Sequence, residues 1–416
     1  MRISASLSAL LIATFALTIS GCETTEKALT AAGRVTRGQT GQAIIDLASG
    51  KDPAQIAKRR LDQYARDPEA LVRDLREAKK DFEAILAVLG VNVGKTWGKK
   101  EVQLPERKKY VKYTQNYKSR AIVDFDSAEI LVETLDDQDP QKSLKNAIVT
   151  TLLTPQDPRS VDLFSDKEIV LTDDKEPYLF GLVLDQRNKP IRSPEEAEPF
   201  AAYLLEKKYA TRVVDQDGTK KTVHYATMAM VTNLPMKQAE KYRTLVHQFA
   251  QQYNISPSLV FAVIRTESNF NPYAVSSAPA YGLMQLVPTS GGREAYRKAK
   301  GQDVIPSRDY LFDPENNVEL GTAFLNVLMF NQLEAVDHNV SREYCVIAAY
   351  NTGAGNVFRT FSRDRTTAVN QINSLQPAGV YDQLRKNLPY EETRSYLEKV
   401  TGYRKSFVNS SESSNQ

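Results

Sequence analysis

The strand-like segments of this sequence stop near residue 235, and that change limits the chain to a two-part architecture. Before it, β-branched and partly alternating stretches such as RAIVDFDSAEILVETL lie between helix-like segments, a mixture typical of an α+β domain. After it, apolar residues recur at helical spacing, and Gly- and Pro-containing loops separate the segments. We therefore predict an α+β accessory domain over residues 53–234 and an all-α domain over residues 235–408, so that the fold class is α+β overall.

Within the accessory domain, LDQYARDPEALVRDLREAKKDFEAILAVLG has the period of an amphipathic helix that Gly90 is expected to close. The overlapping GVNVGKT has one residue too few between its glycines for a phosphate loop, so we interpret it as a helix cap and turn. KTVHYATMAMVTN and the short, buried-looking PYLFGLVLD are predicted strands, and the segments that open with Asp-Pro at 139 and Ser-Pro at 193 are predicted helices.

The N-terminus, MRISASLSALLIATFALTISGC, has one positive charge, an apolar stretch and small residues before Cys22, which is typical of an export signal over residues 1–21. A transmembrane helix is the alternative, but Ser and Thr interrupt the apolar stretch and no basic stop follows it. The segment before Cys22 resembles a bacterial lipobox, which implies lipidation of that cysteine. The lipidated N-terminus and the Thr-, Ala-, Gly- and Gln-rich segment after it are predicted to form a tether over residues 22–52. In the sorted lipoproteins that this segment resembles, an Asp after the cysteine is the usual signal for retention in the inner membrane. Because Glu23 stands there instead, the resemblance implies an anchor in the outer membrane, on its periplasmic face.

Composition excludes several classes of function. The 54 Lys and Arg nearly balance the 51 Asp and Glu, so a dedicated nucleic-acid binder is not indicated. The 3 histidines lie far apart without partners at ligand spacing, so we predict no metal and no cofactor. Cys345 stands in an apolar stretch and is expected to be a core residue, and the polar residues 409–416 are predicted to form a disordered tail.

The candidate for chemistry is Glu267, at the end of the apolar helix SPSLVFAVIRTES. Ser256 and Pro257 suit the start of this helix, and Val263 and Glu267 share one of its faces. Partial burial and the negative end of the helix dipole both raise the pKa of such a carboxyl, as a general acid requires. The alternative is that Glu267 marks only the point where a core helix meets solvent.

Four short pieces carry a family resemblance: ES at 267–268, GLMQ at 282–285, AYNTGAGNV at 349–357 and EETRSYLEKV at 391–400. In this order and spacing the chain resembles lytic transglycosylases of the soluble-lytic-transglycosylase, goose-lysozyme-like type. The resemblance implies a lysozyme-like catalytic domain with Glu267 as its acid. It also implies substrate contacts or cleft-shaping roles for Ser276, Gly282, Met284, Gln285, Tyr350, Asn351 and Glu392. Three residues depart from the family pattern: Phe324 stands where Tyr is common, and Thr352 and Ala354 stand where Ala and Pro are common.

The resemblance further implies cleavage of the bond between N-acetylmuramic acid and N-acetylglucosamine in peptidoglycan, with 1,6-anhydromuramyl ends as products. The expected partners are glycan strands and the outer membrane, the latter through lipid on Cys22, while protein partners stay open. Two alternatives remain: a muramidase of the same fold that uses water, and a non-catalytic peptidoglycan-binding lipoprotein. Glu391 and Glu392 begin the last helix, where acidic residues favour the helix dipole, and we assign them a structural role rather than that of a second catalytic carboxylate.

Overall fold

The structure is a computed structural model that describes residues 68–171, 176–276 and 279–412. The predicted signal segment, Cys22 and the tether lie outside these residues. The chain divides into two compact units, residues 1–95 and residues 96–416. The boundary predicted near residue 235 therefore falls inside the second unit. None of the helices in the described part of the chain combines the length and the apolar composition that a membrane-spanning helix needs.

The first described element, helix α1 (Pro68–Trp97), corrects two predictions. It runs through Gly90, and GVNVGKT is helical rather than a cap and turn. A glycine inside a helix costs only about 1 kcal/mol relative to alanine, and the apolar period continues through Val93 and Trp97. The helix ends at Trp97, and Gly98 follows it with a φ of +90°, which favours glycine; a Cβ there would lie 2.8 Å from the Asp215 carbonyl oxygen.

A five-stranded antiparallel sheet forms the core of the accessory region. Its strands are β1 (Lys109–Thr114), β2 (Ser119–Asp124), β3 (Glu129–Thr134), β4 (Ala210–Gln216) and β5 (Thr219–Ala229). The strand order in the sheet is β1-β2-β3-β5-β4. The register pairs Ala121 with Val132 and Val132 with Ala226. These residues share a buried apolar cluster with helices α2 (Pro140–Leu152) and α3 (Pro194–Lys207). Both helices begin with the predicted proline, so these two predictions are confirmed.

Three strand predictions need correction or completion. PYLFGLVLD is not a strand: it forms turns with isolated bridges, because Gly181 adopts a φ of +71°. Strands β1 and β4 were not predicted, since charged residues interrupt their apolar pattern. In β1, Lys112 is only 2% exposed, and its ammonium group donates a hydrogen bond to the Ser165 carbonyl oxygen at 2.8 Å. An apolar count treats such a lysine as a surface residue.

The remainder of the chain is helical, as predicted. Its helices are α4 (Leu234–Lys241), α5 (Arg243–Gln252), α6 (Pro257–Ser268), α7 (Gly291–Lys300), α8 (Arg308–Phe312), α9 (Pro314–Val327), α10 (Asn339–Thr352), α11 (Ala354–Phe361), α12 (Arg365–Ser374), α13 (Pro377–Asn387) and α14 (Glu391–Glu412). Helix α9 continues into a π-helical turn at Leu328–Gln332. Cys345 is a fully buried core residue, as expected, and α14 extends past residue 408 into the segment predicted as a disordered tail.

Four hydrogen bonds fix the segment after α6 to the accessory region. Asn269 donates to the Phe125 carbonyl oxygen at 2.6 Å, and Asn271 donates to that of Arg107 at 3.1 Å. The Tyr178 hydroxyl donates to the Phe270 carbonyl oxygen at 2.9 Å, and the Tyr273 hydroxyl donates to that of Pro155. The chain that follows Glu267 is therefore held by the sheet region as well as by the helical region.

Candidate active site

A cleft of about 430 Å³ opens beside the C-terminal end of α6. Its walls come from the loop after α6, from helices α7, α9 and α10, and from the turn before β1. Of the residues predicted for the site, those that line this cleft are Glu267, Ser276, Gln285, Tyr350 and Asn351. The structure thus brings together residues that lie far apart in the sequence.

Glu267 lies in the last turn of α6 and is only 5% exposed. Helix α6 begins at Pro257, and nearly every side chain between Ser258 and Ser268 is buried, so the carboxyl is carried into an apolar environment. Burial raises its pKa from 4.5 to about 7. At neutral pH a large fraction of Glu267 therefore holds a proton that it can donate.

Charged and polar neighbours adjust this value without reversing it. A polar contact from Tyr396, in α14, lowers the pKa of Glu267, as does the positive charge of Arg107, whereas the negative charge of Glu392 raises it. The Tyr396 hydroxyl is buried and has no hydrogen bond of ordinary geometry. Burial and the nearby Glu267 charge also raise the pKa of Tyr350 and Tyr396 well above 10, so both phenols stay protonated.

The GLMQ loop is fixed beneath the cleft by Asn317 of α9, which is fully buried. The Asn317 side chain accepts a hydrogen bond from the Met284 backbone N–H at 2.7 Å and donates to the carbonyl oxygens of Tyr281 and Leu311 at 2.8 and 2.7 Å. Gly282 has a φ of +74°, and a Cβ there would lie 2.5 Å from the Asn317 amide nitrogen. Glycine is thus required at this position by both conformation and space.

The Gln285 side chain is held in one orientation at the cleft. Its backbone has a φ of +47°, which is uncommon for a residue other than glycine. Its amide nitrogen donates to the carbonyl oxygens of Ala274 and Gly282, both at 3.0 Å, which fixes the orientation of the side chain. Its amide oxygen is buried and has no partner within the described residues. An oriented acceptor without a partner suits an N–H or O–H group of a ligand.

The opposite wall carries aromatic and amide groups. The Tyr350 hydroxyl donates to the Met284 carbonyl oxygen at 2.9 Å, which ties α10 to the GLMQ loop. Phe324, at the position where the family commonly has Tyr, packs against Tyr350 with ring centroids 5.4 Å apart. The Asn351 side chain accepts a hydrogen bond from the Thr393 hydroxyl at 2.7 Å, so the first turn of α14 orients this amide.

Three predicted residues do not line the cleft. Gly282 and Met284 lie beneath it, and Met284 is fully buried against Gly321, where a Cβ would lie 2.2 Å from the sulfur atom. The Glu392 side chain is 64% exposed and binds Arg107 at 3.1 Å. Glu392 is therefore placed beside the cleft rather than in it.

Sequence reasoning missed Arg107 and the pair Glu294 and Gln332, all of which line the cleft. The Gln332 amide donates to the Glu294 carboxylate at 2.7 Å. Arg107 lies in the basic stretch ERKKYVK, between residues 106 and 112. No local pattern distinguishes it from its neighbours, because its contact with Glu267 depends on the tertiary fold. Among the described residues, no cluster of three or more His, Cys, Asp or Glu side chains could hold a metal ion.

Comparison with known proteins places this site in a family. The family model described as membrane-bound lytic murein transglycosylase C, N-terminal domain, matches residues 72–241, and the transglycosylase SLT domain matches residues 244–373. The protein named membrane-bound lytic murein transglycosylase C from Yersinia enterocolitica is 42% identical over 82% of this chain and 92% of its own length. The protein of the same name from Klebsiella pneumoniae is 43% identical over 82% of this chain and 91% of its own length. Among solved structures, the chain is similar to the lytic transglycosylase Slt from Pseudomonas aeruginosa. The match covers 39% of this chain and 23% of Slt, with 29% sequence identity and a TM-score of 0.31.

The region after residue 234 is helical, Glu267 is buried at its cleft, and the SLT domain matches it. These observations define the class of the protein as a lytic transglycosylase. Both matched domains and the identity over most of the chain narrow this class further. The chain belongs to the membrane-bound lytic murein transglycosylase C family.

Proposed function

We propose that this peptidoglycan lytic transglycosylase uses Glu267 first as a general acid and then as a general base. The observation that carries the proposal is the burial of Glu267 at the cleft, which raises the pKa of its carboxyl to about 7. A group with that pKa both donates and accepts a proton near neutral pH, as the two halves of the reaction require.

In the first half, Glu267 protonates the oxygen that joins N-acetylmuramic acid to N-acetylglucosamine, and the bond from that oxygen to the muramyl C1 breaks. The N-acetyl oxygen of the same muramyl ring stabilises the positive charge that develops at C1, as in substrate-assisted glycosidases. In the second half, the C6 hydroxyl of that ring attacks C1 and its proton passes to Glu267. A 1,6-anhydromuramyl end forms, no water is consumed, and Glu267 is protonated again.

The cleft supplies groups that would hold the sugar for this reaction. Gln285 presents an oriented acceptor, Asn351 presents an amide, and the rings of Tyr350 and Phe324 present apolar surface to a sugar face. Ser276 lies in the same lining. Because C6 and C1 belong to one ring, a correctly held ring lets the hydroxyl outcompete water, since effective molarities reach on the order of 10⁵ M or more.

A hydrolytic muramidase requires a second carboxylate or an activated water at the opposite face of the sugar. The Glu392 side chain is largely exposed and forms an ion pair with Arg107, and it does not line the cleft. Glu294 does line the cleft, but it accepts a hydrogen bond from Gln332. These contacts favour the one-carboxylate reaction. A purely binding role does not require a carboxyl buried as deeply as Glu267.

We also propose that lipid on Cys22 anchors the protein to the outer membrane, with residues 22–52 as a tether and the 53–234 and 235–408 regions in the periplasm. The family name, membrane-bound lytic murein transglycosylase C, supports association with a membrane. Replacing Cys22 with Ser should release the protein into the soluble periplasmic fraction. Retention of that variant in the outer membrane fraction would contradict a lipid anchor at this residue.

The catalytic proposal is tested with purified cell walls and three proteins: the parent, Glu267→Gln and Glu319→Gln. Glu319 is the matched control because it is also buried, at 7% exposure, but binds Lys300 away from the cleft. Turbidity loss should occur with the parent and the control and should be absent with Glu267→Gln. Cleavage by Glu267→Gln at the parent rate would remove Glu267 as the acid, and circular dichroism confirms that each variant is folded.

A further inference from the structure

Arg107 approaches Glu267 from the accessory region, in a turn that precedes β1. The turn is closed by a hydrogen bond from the Glu106 backbone N–H to the Lys109 carbonyl oxygen at 2.9 Å. The Arg107 carbonyl oxygen accepts a hydrogen bond from Asn271 at 3.1 Å, and Asn271 is fully buried. Because Asn271 follows α6 closely, the turn is fastened to the same stretch of chain that positions Glu267.

The guanidinium of Arg107 lies between two carboxyl groups. One nitrogen is 3.8 Å from a Glu267 carboxyl oxygen, and another is 3.1 Å from a Glu392 carboxyl oxygen. The side chains of Glu267, Arg107 and Glu392 are 7%, 42% and 64% exposed. The three charged groups therefore form a row from the buried Glu267 to the solvent-exposed Glu392. The planar fork of a guanidinium suits contact with two partners at once.

We propose that Arg107 is a positioning residue that orients Glu267 and stabilises its anion during the reaction, while Glu392 anchors the guanidinium. The accessory region would thereby complete the active site of the helical region. This inference rests on the proposed role of Glu267 as the acid and base. It extends that role to a residue outside the matched SLT domain, in the part of the chain matched by the N-terminal family domain.

The need for a cation follows from the reaction itself. Once Glu267 has donated its proton it is a buried carboxylate, and an unpaired buried charge is strongly destabilised. The distance of 3.8 Å is longer than a hydrogen bond, so Arg107 acts through charge rather than through a formed bond in the resting site. Its partial exposure weakens that charge by solvent screening but leaves it beside the cleft.

The groups that face Glu267 come from three elements: the turn before β1 and helices α10 and α14. Arg107 and Lys108 in the turn lower the pKa of Glu267, and Glu392 in α14 raises it. Tyr396 in α14 makes a polar contact that also lowers it, and Tyr350 in α10 stays protonated and neutral. Removing Arg107 therefore raises the pKa of Glu267 further, whereas removing the charge of Glu392 lowers it.

The test is a pH profile of kcat/KM with the full chain in detergent, with soluble uncross-linked peptidoglycan strands as the substrate. Glu267 must be protonated to act, so the alkaline limb of the profile reports its pKa in the free enzyme. In Arg107→Gln this limb should move to higher pH and kcat should fall roughly tenfold, less than the loss of an aligned donor. Arg107→Lys should restore part of both, and Glu392→Gln should move the limb to lower pH.

The matched control is Arg192→Gln, an arginine of the same region that is 59% exposed and paired with Glu176 away from the cleft. Its profile should match that of the parent. A uniform loss of rate in Arg107→Gln with an unmoved limb would overturn the inference and leave Arg107 a structural residue. An unchanged rate and limb would overturn it as well.

Failure of the proposed function looks different. If Glu267→Gln cleaves at the parent rate, the acid itself is wrongly assigned. If Glu267→Gln is inactive and the limb in Arg107→Gln is unmoved, the acid stands and only the role of Arg107 fails. Should Arg107→Gln not fold, Arg107→Lys replaces it in the test, because it keeps a positive charge at this position. An alkaline limb in Arg107→Lys that differs from that of the parent supports the inference, and an identical limb contradicts it.

Discussion

Replacing Glu267 with Gln should stabilise the protein at neutral and alkaline pH, although it abolishes the proposed chemistry. The folded protein keeps the Glu267 proton up to a pKa of about 7, whereas an ordinary glutamate loses it near 4.5. Between these two values the folded state binds more protons than the unfolded state, so the free energy of unfolding falls as pH rises. A glutamine has no proton to lose, and the variant escapes this fall.

The expected magnitude follows from the interval between 4.5 and about 7. Each pH unit in that interval changes the free energy of unfolding by about 1.4 kcal/mol, so the whole interval changes it by about 3 kcal/mol. The side chain is almost fully buried, so solvent screening reduces this figure little. The difference in unfolding free energy between variant and parent should rise from pH 4.5, level off above pH 7, and gain about 3 kcal/mol across that range.

Urea unfolding of both proteins at several pH values between 4 and 8 measures this difference. Any contact that the substitution loses adds a constant offset, so the slope with pH carries the test. Asp303→Asn provides a control of opposite sign, because the hydrogen bonds from Arg293 lower the pKa of Asp303. That substitution should destabilise the protein above the unfolded pKa of Asp303. A difference for Glu267→Gln that stays constant from pH 4 to pH 8 would refute the reasoning about burial.

Three further predictions concern the support of the cleft. Asn317→Ala removes three buried hydrogen bonds and should cost about 2–4 kcal/mol in urea unfolding, whereas Asn326→Ala, on the same helix, removes one and should cost about 1 kcal/mol; equal costs would contradict the proposed anchoring. Gly321→Ala places a methyl group against Met284 and should lower both stability, by about 1–3 kcal/mol, and cleavage, despite its better helix propensity, with thermal unfolding and turbidity as readouts. Tyr350→Phe removes the hydrogen bond to the Met284 carbonyl oxygen, and it should lower the cleavage rate with only a small change in the free energy of unfolding. An unchanged cleavage rate would show that this hydrogen bond has no catalytic importance.

The location of Glu267 could be predicted because its causes are local. Pro257 begins the helix, the apolar residues after it are buried on all sides, and the glutamate follows at the end. The GLMQ and AYN segments could be placed near it only through the resemblance. Their actual supports, Asn317 and Thr393, are ordinary polar residues in sequence terms, and only the folded chain shows what they bind.

The parts of the fold that were missed involve charged groups in buried positions. Lys112 of β1 is only 2% exposed, and its ammonium group donates a hydrogen bond to the Ser165 carbonyl oxygen at 2.8 Å. A pattern of apolar and polar residues assigns such side chains to the surface, which hides strands like β1. The contact between Arg107 and Glu267 joins two regions distant in sequence, so it depends on packing that no local pattern specifies.

The helix α1 and the PYLFGLVLD segment show the opposite roles that glycine can have. Gly90 was expected to end a helix and instead lies within one, where its cost is small beside the apolar period that continues past it. Gly181 was passed over inside an apolar run, yet its positive φ breaks that run into turns. Residue type alone does not distinguish these cases, because the surrounding packing decides which conformation the glycine adopts.

The most direct test of the central claim is whether an oxygen atom from water enters the product. Digestion of peptidoglycan in ¹⁸O-labelled water, followed by mass spectrometry of the soluble fragments, distinguishes attack on C1 by the C6 hydroxyl from attack by water. The account predicts 1,6-anhydromuramyl ends without the label from the parent protein, and no such ends from Glu267→Gln. Reducing ends that carry one labelled oxygen would show hydrolysis, and unlabelled anhydromuramyl ends from Glu267→Gln would show that another residue supplies the proton.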